Sequence, residues 1–498
     1  MSAQSAIFNP SQTTSAATGD GFSVPRLTTT GRLAIVFGTG DSGMMVYDTT
    51  LNNLFIWNGT AWTSVPDSGD STDEQVIFND NGVLVGDAGL RYQKTVAKLK
   101  VGSFIDIWKG NLQDNTSTAV GSTALGGTIA GAINNTAIGY RAMYRASTGN
   151  SNVAVGNSAL SGLAMSGNGN TAVGFNSAPN VSSGADNCLF GDATGASITT
   201  GGYNVGIGPG ALNGTIGSTA NSNVAIGLNA SNSASAITGS NNVGISTDTL
   251  RNLTSGANNV AIGQSALNAV TSGTSNIAIG QSALASNVTG SNSVAIGLTA
   301  LNACVVGDQV AVGIQALQLL QNGGNNTAVG RDTLRALISN SNCTALGFQA
   351  ARASTAAEVT AIGSNALALA TGGTGNVAVG SSAMGAAIVT GGFNTAIGTS
   401  AGTSLTAGIN NTLIGNNAAA NLTIGNANIC IGMNATVNVV SDSNTLAIGS
   451  SGQFVATNGG ATTYYATATA GAIVPTSFVG YMRIRLNGTF VKVPIYND

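Results

Sequence analysis

Residues 259 to 301 read NVAIGQSALNAVTSGTSNIAIGQSALASNVTGSNSVAIGLTAL, nearly the same phrase three times over. Aligned on the glycine that closes the AIG core, the phrase begins at Gly121, Gly139, Gly156 and Gly174 and ends at Gly415, Gly432 and Gly449. There are twenty copies, spaced 16 to 19 residues apart, with Ser246 as the one substitute for the glycine. A fixed period of this length builds a solenoid, because a single copy cannot bury its apolar face without neighbours stacked above and below it. Collagen is excluded, since glycine does not recur at every third position. With 43% hydrophobic residues and a net charge of −3, the chain also lacks the polar, highly charged composition that keeps a segment disordered.

Within the unit, the residue before the glycine is apolar in every copy, and the residue three before it is Val, Ile, Leu, Thr or Cys. Side chains alternate with period two along a strand, so these two positions share a face. The expectation is that they point into the coil, which makes Ile138, Val155, Ile262, Ile279 and Ile296 coil core. The position between them is Ala in fifteen of the twenty copies. On this reading it faces outward, and a face of methyl groups predicts close approach of another subunit through Ala137, Ala154, Ala261, Ala278 and Ala295. Asn stands four before the glycine in fourteen copies, in keeping with turn chemistry and coil-to-coil amide bonding. The Ala-Leu pair after the glycine predicts a second, shorter strand. The fold class expected is all-β, a parallel β-solenoid of about 20 coils of ~17 residues, stacking at about 4.8 Å per coil.

Composition narrows the function. The chain has 16 basic and 19 acidic residues and a pI near 4.9, which gives no electrostatic footprint for nucleic acid or an anionic membrane. No apolar run approaches the length of a membrane helix. The start, MSAQSAIFNPSQTTSAATGDGF, lacks the charged and apolar regions of a secretory signal. The four cysteines lie far apart with no CxxC pair, as expected of buried thiols in a reducing compartment, and no metal or cofactor is expected. The absence of histidine rules out Ser-His-Asp and Cys-His constellations. Paired carboxylates of a glycan depolymerase remain the one enzymatic alternative, but Asp186, Asp192, Asp248, Asp308, Asp332, Glu358 and Asp442 do not recur at the coil period. The reading is that the chain is not an enzyme.

The flanks differ from the repeats. Phe55-Ile56-Trp57, a turn at Asn58-Gly59 and Thr60-Ala61-Trp62 predict a hairpin. GYMRIRLNGTFVKVPIYND at the end predicts another, turning at Asn487-Gly488. That second hairpin is placed to cap the solenoid edge, and it carries Arg483, Arg485 and Lys492, the densest basic group in the chain and the candidate tip contacts. Three regions follow: 1–114, β-rich, for attachment and trimerisation; 115–452, the repeats; 453–498, a hairpin cap.

The N-[VT]-A-[IV]-G-x-x-A-L unit resembles the head repeat of YadA-type trimeric autotransporter adhesins. It is also similar to the repeat arrays of bacteriophage tail fibres, as in NTLIGNNAAANLTIGNANICIGMNATV. The resemblance covers about residues 115 to 452. It implies a left-handed β-roll and a homotrimeric fibre with small β-rich ends. The stretch at 24–65 resembles modules near the start of viral fibre proteins. No signal sequence, heptad stalk or membrane anchor is seen, and the tail after the last repeat is short for a self-cleaving chaperone domain. The expectation is therefore a virion fibre assembled in the host cytoplasm, most specifically a phage tail fibre. Its expected partners are two further copies of itself, a baseplate or capsid protein and a host surface receptor, possibly a glycan, with no nucleic acid and no membrane insertion. The alternatives are a cell-surface trimeric adhesin and an ice-binding solenoid.

Overall fold

The structure is a computed structural model. It describes residues 24–36, 42–64 and 116–449, except 127–130, 146, 163, 215–216 and 438, together with the backbone of strands in the two flanks. The chain divides into two units, Met1–Gln264 with Val270–Ser272, and Ser265–Ala269 with Gly273–Asp498.

The first unit opens on a small four-stranded sheet. Its elements are β1 (Arg26–Leu27), α1 (Thr29–Leu33), β2 (Met45–Asp48), β3 (Asn53–Trp57) and β4 (Trp62–Ser64). Strand β1 runs parallel to β2, and β2, β3 and β4 are antiparallel. The expected hairpin is present, with Trp57 opposite Trp62, but its loop is four residues long rather than two. Asn58 closes it: its side-chain Oδ1 accepts hydrogen bonds from the backbone N–H groups of Thr60 and Ala61. Strands β5 (Glu74–Asp80), β6 (Val83–Gln93), β7 (Lys98–Val101) and β8 (Ile105–Trp108) then form an antiparallel series that ends on the first repeat strand.

From that point the repeats form a parallel β-solenoid of about twenty turns. Nine repeat strands, β9 (Thr118–Val120) to β17 (Val260–Ile262), belong to the first unit, and eleven, β18 (Ile277–Ile279) to β28 (Thr445–Ile448), to the second. Within each unit neighbouring repeat strands pair in register, like position against like: Ala137 with Ala154, Ala295 with Ala311. In the second unit β28 is followed by antiparallel β29 (Val455–Thr457) and β30 (Tyr464–Tyr465), and then by the hairpin of β31 (Ser477–Leu486) and β32 (Thr489–Asn497). The expected turn at Asn487-Gly488 lies outside the described residues.

The facing of the strands is the reverse of the expectation. Ala137, Ala154, Ala261, Ala278 and Ala295 are wholly buried inside their own coil, whereas Ile138, Val155, Ile262, Ile279 and Ile296 lie on the outer face, Ile138 being 40% exposed. Size decides this. The interior is so narrow that a methyl group built on Gly206, which takes the Ala position in its copy, would stand 2.8 Å from Thr194 Cγ2 and 2.9 Å from Leu189 Cδ2. The branched residues of the strand stay on the outer face, and only Leu189 and Leu413 take the inner position in their copies. The interior is filled from the opposite wall by Ala and Leu, as at Ala266 and Leu267 or Ala283 and Leu284, all fully buried.

The Ala-Leu segment is a turn, not the second strand expected. Ser282 and Leu284 both adopt left-handed backbone, with φ of 55° and 49°, a pattern that a strand cannot contain. This conformation swings Leu284 into the core. The repeat glycine also has a positive φ, 135° at Gly297, and a Cβ there would lie 2.4 Å from the carbonyl oxygen of Gly313. Glycine is strongly favoured at this corner because backbone stacks directly on backbone, and Ser246, at φ 119°, is the one copy that carries a Cβ there.

The repeated Asn builds a buried amide ladder. Asn152 Oδ1 accepts from the backbone N–H and the Nδ2 of Asn170, while Asn152 Nδ2 donates to Asn135 Oδ1 and to the Gly167 carbonyl. The pattern continues through Asn187 and Asn204 and again through Asn376, Asn394, Asn411 and Asn428. Every lone pair and proton so engaged would otherwise be a buried unmet group.

Candidate assembly surfaces

Two features of the described residues stand apart from core packing. The first is the outer face of the repeat strands. In each unit the position before the glycine forms a column of aliphatic or aromatic residues, many of them exposed, among them Phe190, Ile207, Ile296, Leu346 and Ile397. Beside it runs the column three before the glycine, made of Val, Thr and Ile with Cys188 and Leu446. Exposed Phe175, Leu298 and Phe348, just after the glycine, widen the strip. An apolar band repeated coil after coil marks a surface made to be covered, since soluble monomers rarely leave large apolar patches open. Sequence reasoning located these residues but put them on the wrong side of the strand. It likewise assigned the close-approach face to the Ala column, which presents nothing to another chain. Each of the eight Thr of the outer column, such as Thr327 and Thr360, shares its strand with an aliphatic residue at the second outward position, so no Thr-x-Thr strand of the kind that suits ice is formed among the described residues.

One cysteine lies on this band. Cys188 sits at the strand position three before Gly191 and is partly exposed, while Cys304, Cys343 and Cys430 are buried. Burial pushes the Cys304 and Cys430 thiols up to about 11, so they stay protonated at neutral pH. The expectation of buried free thiols therefore fits three of the four.

The second feature is the small sheet near the start. Arg32, at the end of α1, is 5% exposed and donates from Nε to Asp48 Oδ2 at 2.9 Å. Its guanidinium lies 3.6 Å from the Phe55 ring centroid, and Trp62 Nε1 donates to the Arg32 carbonyl at 3.1 Å. Asp48 Oδ1 accepts from the Thr29 hydroxyl and from the N–H groups of Thr50 and Leu51. Burial alone would raise the Asp48 pKa. The Arg32 bond, helped by Leu51, Thr29 and Thr50, overrides it and holds the carboxyl at about 2. Trp57 and Trp62 meet edge to face at 5.7 Å, as hairpin core rather than an open sugar platform. This Arg-Asp centre was not found in the sequence. Its only signal is a charge inside each of two apolar runs, Arg32 in GRLAIVF and Asp48 in MMVYD.

Of the candidate tip contacts, Arg483 pairs across β31 and β32 with Lys492, and Arg485 with Phe490. No group of three or more His, Cys, Asp or Glu among the described residues is placed to hold a metal ion. No described helix is long and apolar enough to cross a membrane.

Residues 4–75, the stretch that contains the Arg32-Asp48 sheet, match the family model described as "Phage tail like trimerisation region". No curated protein and no solved structure matches the chain. A trimerisation-region match joined to a β-solenoid supports a structural fibre role.

Proposed function

We propose that the chain forms a homotrimeric virion fibre, in particular a phage tail fibre, that attaches the particle to its host. The observation that carries this is the apolar outer band, present in both units of a chain whose start matches a trimerisation region. Three copies packed band to band would remove this apolar surface from water, and a closed ring of identical contacts stops further growth. Residues 1–114 attach the fibre to a baseplate or capsid protein, 115–452 form the solenoid, and 453–498 cap it. On this reading Arg483, Arg485 and Lys492 would contact an anionic group on the host receptor.

The test uses the native chain. Light scattering is expected to give three times the 48.9 kDa chain mass. Mild oxidation is then expected to link two copies through Cys188 within each trimer, and Cys188→Ser should abolish the link. A monomer would sink the fibre reading; a trimer without the link would keep the trimer and move its seam away from the band.

A further inference from the structure

Tyr203 and Phe393 sit at the same coil position, five before the repeat glycine, in the first and second unit respectively. The backbone there is left-handed, with φ of 59° and 58°. Most copies fill this corner with Asn, Ser, Asp or Gly, residues that tolerate the conformation. A bulky aromatic residue at positive φ is an outlier, and inside a core its burial would offset the cost. Here nothing does, since Tyr203 is 65% and Phe393 64% exposed.

The local setting is the same twice. Each ring follows a Gly-Gly pair, in TGGYN and TGGFN. Those glycines are dictated by stacking: a Cβ on Gly201 would lie 2.2 Å from the Ala220 carbonyl oxygen, and one on Gly391 2.0 Å from that of Gly408. The ring is thus the one large side chain on a low stretch of backbone. Phe393 leans over the preceding coil, where a Cβ on Gly375 would come within 2.8 Å of it. Hydrogen-bonding groups surround both rings: Asp186, which makes no ion pair among the described residues, and Ser222 near Tyr203, and Thr374 and Asn410 near Phe393, all four exposed. Backbone bonds fix these neighbours, Tyr203 N–H to Ala185, Ser222 N–H to Gly202, Phe393 N–H to Thr374 and Asn410 N–H to Gly392.

We propose that Tyr203 and Phe393 are stacking platforms for pyranose rings of a host surface polysaccharide. Each takes the C–H face of one sugar on its free ring face, while the flanking carboxylate, hydroxyl and amide groups bond the sugar hydroxyls. Strain held at an exposed position without internal return is a mark of a binding group. A further copy of this chain fits less well. Contact between parallel solenoids repeats at every coil, as the apolar band does, whereas these rings are isolated among polar corners.

The proposal rests on the attachment reading and is tested with the full chain on an array of bacterial surface polysaccharides. Wild type is expected to bind at least one glycan. Tyr203→Asn and Phe393→Asn are each expected to weaken that binding at least tenfold, Tyr203→Phe to preserve it. Because Asn suits the left-handed corner, the Asn variants should keep the native mass and melt no lower than wild type. Absence of glycan binding by wild type, or unchanged binding in the double Asn variant, overturns the platform while a trimeric mass leaves the fibre reading intact. A lower melting point with loss of the trimer would assign the rings to a subunit contact and also overturn it.

Discussion

Asp48 is the residue whose chemistry is most exposed to measurement. Its folded pKa of about 2 lies below the ordinary value of 3.8, so the stabilisation from its partners is fully present above about pH 4. It is lost as pH falls through 2, because the proton added to the carboxylate removes the acceptor for Arg32. We expect the near-ultraviolet signal of Trp57 and Trp62 to collapse in that window, and Asp48→Asn to remove the pH dependence while lowering stability at pH 7. A signal lost near the ordinary carboxyl value of 3.8 instead would contradict the pairing. Gly297 is the complementary case, set by backbone rather than charge. Gly297→Ala must hold a Cβ at φ 135° against the next carbonyl, and should destabilise the coil by roughly 1–3 kcal/mol in denaturant titration.

At the level of the element, the Asn ladder links one coil to the next. Asn394 takes part in bonds to Asn376, Asn411 and the Gly408 carbonyl. Asn394→Ala leaves buried donors and acceptors unmet and should cost about 2–4 kcal/mol. The ladder is interrupted at Val359, which is fully buried and offers no acceptor. Asn376 adapts there: its Nδ2 donates back to Gly373, a carbonyl that an amide at 359 would engage. Val359→Asn should therefore raise stability by about 1 kcal/mol, read as a shifted thermal midpoint. How much of this is legible in sequence follows from the same coil. The period names the architecture, and alternation separates the residues of Val260-Ala261-Ile262 into two faces. Alternation does not say which face is inside. Hydrophobicity favours Val and Ile for the interior, but the narrow coil selects by volume and takes Ala. The left-handed turn at Ser282 and Leu284 was hidden for a related reason, since Leu is a poor marker of positive φ and adopts it only because burial holds it there.

For the whole molecule, the consequence of that inversion is that, in the proposed trimer, assembly and folding would use different side chains of one strand. Ala295 serves the coil, and Ile296 is free to serve the neighbour. Ile279→Asp combined with Ile296→Asp should leave the far-ultraviolet spectrum of the solenoid unchanged and shift the mass from trimer toward monomer. Loss of the spectrum instead would mean that the outer column is part of the coil's own stability.

A ladder of identical rungs has one more effect, and it concerns time. A coil that forms early can stack on any neighbour offering the same amide, so a chain of near-copies is prone to closing on the wrong partner and staying there. From Asn135 to Asn259 every rung is Asn. Between 293 and 359 four rungs are spelled differently, with Ser293, Gln309, Cys343 and Val359. A stack slipped by one coil sets these against other mates than those of the native order. Such irregular rungs act as landmarks in a monotonous text, and a variant corrected to Asn throughout would be the more stable protein at equilibrium and the slower one to find its place.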